Sequence, residues 1–66
     1  MFLVFYKTGD VFEAEEIIEK LGVQCDIVPT PVSDRAYCGV CVQIAEQASG
    51  IVLNALKSIE YIVIRA

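Results

Sequence analysis

Two cysteines three positions apart, in the run Tyr37-Cys38-Gly39-Val40-Cys41, are the residues of this chain best suited to chemistry. A thiolate is a strong nucleophile and a soft ligand, so the run admits a redox dithiol, a metal site or a single working thiol. The dithiol fits poorly if the run opens a strand. Three steps of ~3.3 Å then set the two Cα atoms roughly 10 Å apart, past the ~7 Å that a disulfide tolerates, and the odd spacing sends the side chains to opposite faces. A structural zinc site asks for four ligands, whereas the chain offers three cysteines and no histidine. Neither a metal nor a cofactor is expected. Without histidine there is also no Cys-His or Ser-His pair for acyl transfer. The run Lys7-Thr8-Gly9-Asp10 has a single glycine and not the spacing of a phosphate loop. What remains is Cys38, followed by Gly39, whose missing side chain lets a reactant approach the sulfur. The competing reading makes Cys38 a small apolar side chain packed for stability.

The elements that must position this thiol can be traced along the chain. Residues 1–6 are continuously apolar and rich in aromatic and branched side chains, as a strand buried on both faces requires. Thr8-Gly9-Asp10 breaks the strand. Asp10 can cap a helix over 11–21, with Glu13 three residues on completing a capping box. Val11, Ala14, Ile17, Ile18 and Leu21 form its apolar stripe, the glutamates a solvated face, and Gly22 its C-terminal cap. Residues 23–28 alternate as a second strand with Val23, Cys25 and Ile27 inward. Pro29, Thr30 and Pro31 end it, and a loop leads to a third strand over 38–44. There Val40, Val42 and Ile44 share one face, and Cys41 and Gln43 the other. A second helix over 46–59 and a closing strand over 61–65 complete the chain.

This βαββαβ order predicts an α+β, ferredoxin-like fold in a single domain over 1–66: a four-stranded antiparallel sheet, order 4-1-3-2, with both helices on one face. The topology gathers Thr8, Gly9, Asp10, the turn at 29–31 and Cys38 along one edge. The start of the first helix, with its unpaired N–H groups and partial positive charge, would stabilise a thiolate there. Arg35 could add to that field, and the Asp10 carboxylate would oppose it.

Composition restricts the partners. A chain of 66 residues has too much surface for its volume to hide side chains that are 56% hydrophobic. The helix-free sheet face, with Cys41 and Gln43 beside Tyr61 and Val63, is the expected place for a homodimer or another partner. A net charge of −4, with only five scattered basic residues, argues against nucleic acid. No apolar run approaches the ~20 residues of a membrane span. Three cysteines without a secretory leader read as reduced thiols in the cytoplasm.

Thr8 in the short turn before the helix, Pro29-Thr30-Pro31 with Ser33 close behind, and Cys38-Gly39 opening the third strand together resemble the bacterial and archaeal Se/S carrier protein-like family. The likeness covers essentially the whole chain. It implies that Cys38 is a carrier thiol accepting a persulfide or selenide, with Gly39 as its companion. Pro29, Thr30 and Pro31 would shape the pocket, and Thr8 would stand on the facing loop. It implies a partner among the small Cys-Pro-type sulfur carriers or the sulfurtransferases. Many members carry a basic residue after the second proline, where this chain has Val32; Arg35 is the nearest substitute. The chain has no Cys-Pro motif and is not itself such a carrier. The alternative is a non-catalytic dimerisation module in which Cys38 is structural.

Overall fold

The computed structural model describes residues 1–31 and 35–65, so Val32 and Ser33 lie outside the described residues. Strand β1 (Phe2–Phe5) leads into helix α1 (Thr8–Lys20), followed by β2 (Cys25–Pro29) and β3 (Val40–Ile44). A 3₁₀ turn (Glu46–Ala48) then runs into α2 (Ser49–Ala55), and β4 (Tyr61–Ile64) closes the chain. The strands form one sheet in the order β2-β3-β1-β4, with every neighbouring pair antiparallel. This is the ferredoxin-like layout that the order of elements predicts.

The apolar run at the start of the chain explains why β1 is central. Leu3, Val4 and Phe5 are all fully buried, as only an inner strand allows. Leu3 pairs with Val42 on one side and Val63 on the other, and these neighbours share a face. On that face Leu3, Phe5, Val42 and Ile44 pack against Val11, Ala14 and Ile18 of α1 and against Val52, Leu56 and Ile59 of the α2 segment. One contiguous core results, between the sheet and the helix layer. Gly22 follows α1 with φ of 77°, a left-handed conformation that turns the chain toward β2 and that only glycine adopts without strain.

Four local expectations need correction. Helix α1 starts at Thr8, with Lys7 as its N-cap and no side-chain capping bond. Asp10 therefore lies inside the first turn, where its charge complements the helix dipole without closing a capping box. The second helix is shorter than its apolar spacing implies: Gly50 and Ser49 are weak helix formers, and 46–48 winds as a 3₁₀ turn. Strand β3 begins at Val40, so Cys38 lies in the turn before it and the strand geometry does not govern its sulfur. Tyr61 and Val63 pack on the helix side, opposite Phe5 and Leu3, whereas Ile62 and Ile64 share the other face with Val4 and Phe2. Cys41 does lie on that helix-free face, opposite Val28, but it is fully buried.

Large apolar side chains do reach the surface, as the composition requires: Tyr6, Phe12, Leu21 and Ile51 are exposed. Among the described residues no helix is long and apolar enough to cross a membrane.

A domain of this size holds roughly 3–10 kcal/mol of stability at ~0.05–0.15 kcal/mol per residue. Leu3→Ala removes a fully buried side chain from the central strand and is expected to cost about 2–5 kcal/mol. Urea unfolding followed by circular dichroism should show the midpoint collapse toward zero denaturant. A shift below 1 kcal/mol would contradict the assigned core.

Candidate functional site

The last residue of β1 sets the position of Cys38. The Cys38 N–H donates to the Phe5 carbonyl at 2.7 Å, which carries the β1–β3 pairing beyond the strand proper. Thr30 holds the same segment from the β2 side. Its hydroxyl donates to the Cys38 carbonyl at 2.7 Å, and its N–H donates to the Gly39 carbonyl at 2.9 Å. The backbone of 38–39 is thus pinned on two sides, and the Cys38 side chain is left partly exposed.

The sulfur meets the start of α1. Thr8 Oγ1 lies 3.4 Å from Cys38 Sγ, a contact between residues 30 apart in the chain. Thr8 is the first residue of the helix because the extended Lys7 ends the β1 segment and starts the turn. The Cys38 pKa is lowered from its ordinary value, first by the Thr8 hydroxyl and then by the Val40 N–H. Partial burial opposes this, and the Gly39 N–H adds a smaller favourable contribution. The causes that lower the Cys38 pKa are hydrogen bonds, and neither Arg35 nor Asp10 is among them. Hydrogen bonds to the charged form favour ionisation because a thiolate accepts them far better than a thiol does.

The other two thiols are driven the opposite way. Burial raises Cys25, and the carboxylates of Glu15, Glu19 and Asp26 raise it further. Burial also raises Cys41, whose thiol points to the Pro29 carbonyl at 3.8 Å. Of the three thiols, Cys38 alone is shifted toward the thiolate, and Cys25 and Cys41 are shifted away from it.

Of the residues singled out in the sequence, the fold brings together Thr8, Thr30, Gly39 and Cys38. Gly39 is exposed, with open space where a Cβ would stand, so no tight fit requires a glycine there. Pro29 ends β2 opposite Val40, and its carbonyl accepts from the Cys41 thiol rather than touching the Cys38 sulfur. Pro31 and Arg35 are exposed on the connecting loop and are not among the described partners of the Cys38 sulfur. Sequence reasoning missed the Phe5 carbonyl and the Val40 N–H, since backbone groups leave no residue signature. It also missed the contact of Tyr6, before α1, with Tyr37, before β3, their ring centroids 5.2 Å apart. Among the described residues no group of three or more cysteine, aspartate or glutamate side chains is placed to hold one metal ion.

The family model described as "Putative Se/S carrier protein-like" matches residues 1–64. The chain belongs to this family. No curated protein and no solved structure matched. In this Se/S carrier protein-like domain the match spans every element of the sheet, including both segments that meet at Cys38.

Two outcomes follow. Mass-resolved alkylation across pH should modify Cys38 first. Its rate should rise at lower pH than those of Cys25 and Cys41, because its thiolate forms earlier. Coincident profiles for the three cysteines would rule out activation. Thr8→Val should raise the Cys38 pKa and slow its alkylation at neutral pH by about three- to tenfold, as the loss of one hydrogen bond worth about 0.5–1.5 kcal/mol implies, while Thr8→Ser keeps the wild-type rate.

Proposed function

We propose that the protein carries sulfane sulfur or the corresponding selenium on Cys38, receiving it from a donor persulfide and passing it to an acceptor thiol. The observation that carries this reading is the hydroxyl of Thr8 on the Cys38 sulfur at 3.4 Å, seconded by two backbone N–H groups, in a chain of a family named for Se/S carriers. The Cys38 thiolate attacks the outer sulfur of a donor R–S–SH. A new S–S bond forms to Cys38, the donor's S–S bond breaks, and its electron pair leaves as the donor thiolate. The transferred sulfur keeps its proton, and no net oxidation occurs. Transfer onward repeats the step, with the Cys38 thiolate as the leaving group. A selenium atom in R–S–SeH moves by the same accounting.

The environment suits both halves of the cycle. A lowered pKa supplies thiolate at neutral pH, when an ordinary thiol of pKa ~8.5 is only a few per cent ionised, and it makes Cys38 a better leaving group. The exposed Gly39 backbone leaves room for the extra chalcogen atom and for an approaching partner. A carrier needs a reduced thiol, so the proposal places the protein in a reducing compartment such as the cytoplasm. The donor and acceptor would be proteins with persulfide chemistry of their own, such as a sulfurtransferase or a small Cys-Pro-type carrier.

Loading with inorganic polysulfide, followed by intact-mass and peptide analysis, tests this. Wild-type protein should gain one sulfur on Cys38, release it to dithiothreitol, and lose loading in Cys38→Ser while keeping it in Cys25→Ser. If loading spreads over all three cysteines or survives Cys38→Ser, the rival reading of a structural Cys38 in an interaction module takes its place.

A further inference from the structure

The edge of the sheet that presents Cys38 also holds a hollow of about 260 Å³, beside the start of α1. Tyr6 and Ile59 supply apolar wall, while Asp10, Glu13 and Glu60 bring three carboxylates against one base, Lys7. Thr8 and Asp10 lie two residues apart on the helix, hence on opposite flanks of its first turn. The hollow and the thiol are therefore separated by about one helix diameter, ~10 Å. Tyr6 links the two, since it lines the hollow and its ring meets Tyr37, the neighbour of Cys38.

Charge on the whole molecule points the same way. Helix α1 carries Asp10, Glu13, Glu15, Glu16 and Glu19 against Lys20, an excess equal to the full net charge of −4. A cationic partner is drawn to this helix and an anionic one repelled, most strongly at low ionic strength. Phe12, one turn beyond Thr8 and 53% exposed, and Tyr6, 42% exposed, give an arriving chain apolar surface beside the thiol.

We infer that this hollow receives a lysine or arginine side chain of the protein that exchanges sulfur with Cys38. The inference rests on the carrier reading and names the partner's chemistry. The aliphatic stem lies against Tyr6 and Ile59, and the cation meets the carboxylates. A gap of ~10 Å equals about three extended residues, so the cation stands about three positions from the partner's reacting cysteine.

Two synthetic peptides of equal length test the assignment. Each carries one cysteine as a mixed disulfide with thionitrobenzoate; one has Lys three residues away, the other Glu. The Cys38 thiolate attacks the peptide sulfur, forms the Cys38–peptide disulfide and expels the coloured thionitrobenzoate anion, and mass analysis assigns the site. Rates are divided by that of a small uncharged thiosulfonate reagent. The Lys peptide should react about tenfold faster at low salt, with the advantage shrinking as salt screens the charges. Glu13→Lys combined with Glu60→Lys should abolish or invert the preference in protein whose circular dichroism is unchanged. Equal normalised rates for both peptides, or a preference indifferent to the double substitution, overturns the assignment while leaving the carrier reading intact. Slowing of both peptides with rising protein concentration means that a second copy covers the hollow, and also overturns it. Slow reaction with the uncharged reagent itself overturns the carrier reading, and this inference with it.

Discussion

The hydrogen bond from the Cys38 N–H to the Phe5 carbonyl is the constraint on which the site depends. It ties the turn before β3 to the last residue of the central strand, and three residues later the chain has already begun α1 at Thr8. With Thr30 clamping the same two peptide units from β2, the sulfur has little choice but to face the helix start. The core contributes indirectly. Leu3 and Phe5 fix β1 beneath α1, so the distance between Thr8 and Cys38 is set by packing that involves neither side chain directly.

The three cysteines show how much environment decides at fixed chemistry. Cys25 and Cys41 are pushed toward the neutral thiol by burial, Cys25 also by acids of α1, whereas Cys38 has donors aimed at its sulfur. Acidity and nucleophilicity trade against each other in thiols, since a more acidic thiol is a weaker attacker but a better leaving group. Hydrogen bonds are a moderate way to shift that balance. A buried cation beside the sulfur would hold the anion more firmly, making it a better leaving group but a weaker nucleophile.

The sheet was legible in the sequence because two periodicities spoke clearly. The unbroken apolar run of β1 could only suit a central strand, and the alternation in β2 and β3 fixed which side chains face the helices. From strand order alone, the meeting of Thr8 with Cys38 could be anticipated. What escaped notice has local physical causes. Asp10 looks like a cap by type, yet Lys7 takes that place because the chain is extended there and the turn closes on backbone groups. The 3₁₀ turn at 46–48 runs straight into Ser49 and Gly50, weak helix formers whose effect an apolar stripe does not reveal. A strand edge two residues off moved Cys38 out of β3, and pairing with Leu3 and Phe5 puts Val63 and Tyr61 on the helix side, leaving Ile62 and Ile64 on the free face. The clamps of Thr30 run to carbonyls, and no residue type advertises a carbonyl.

The Thr8–Cys38 contact joins residues 30 positions apart across two turns of the chain. Such a contact exists only once β1 and β3 have paired and α1 has docked, which are the late, non-local events of folding. An unfolded or newly made chain therefore exposes three ordinary thiols of nearly equal acidity, and the distinction among them is a property of the completed tertiary structure. Quality control and chemistry coincide at this sulfur: a chain that has not closed its sheet has no preferred place to hold a reactive atom.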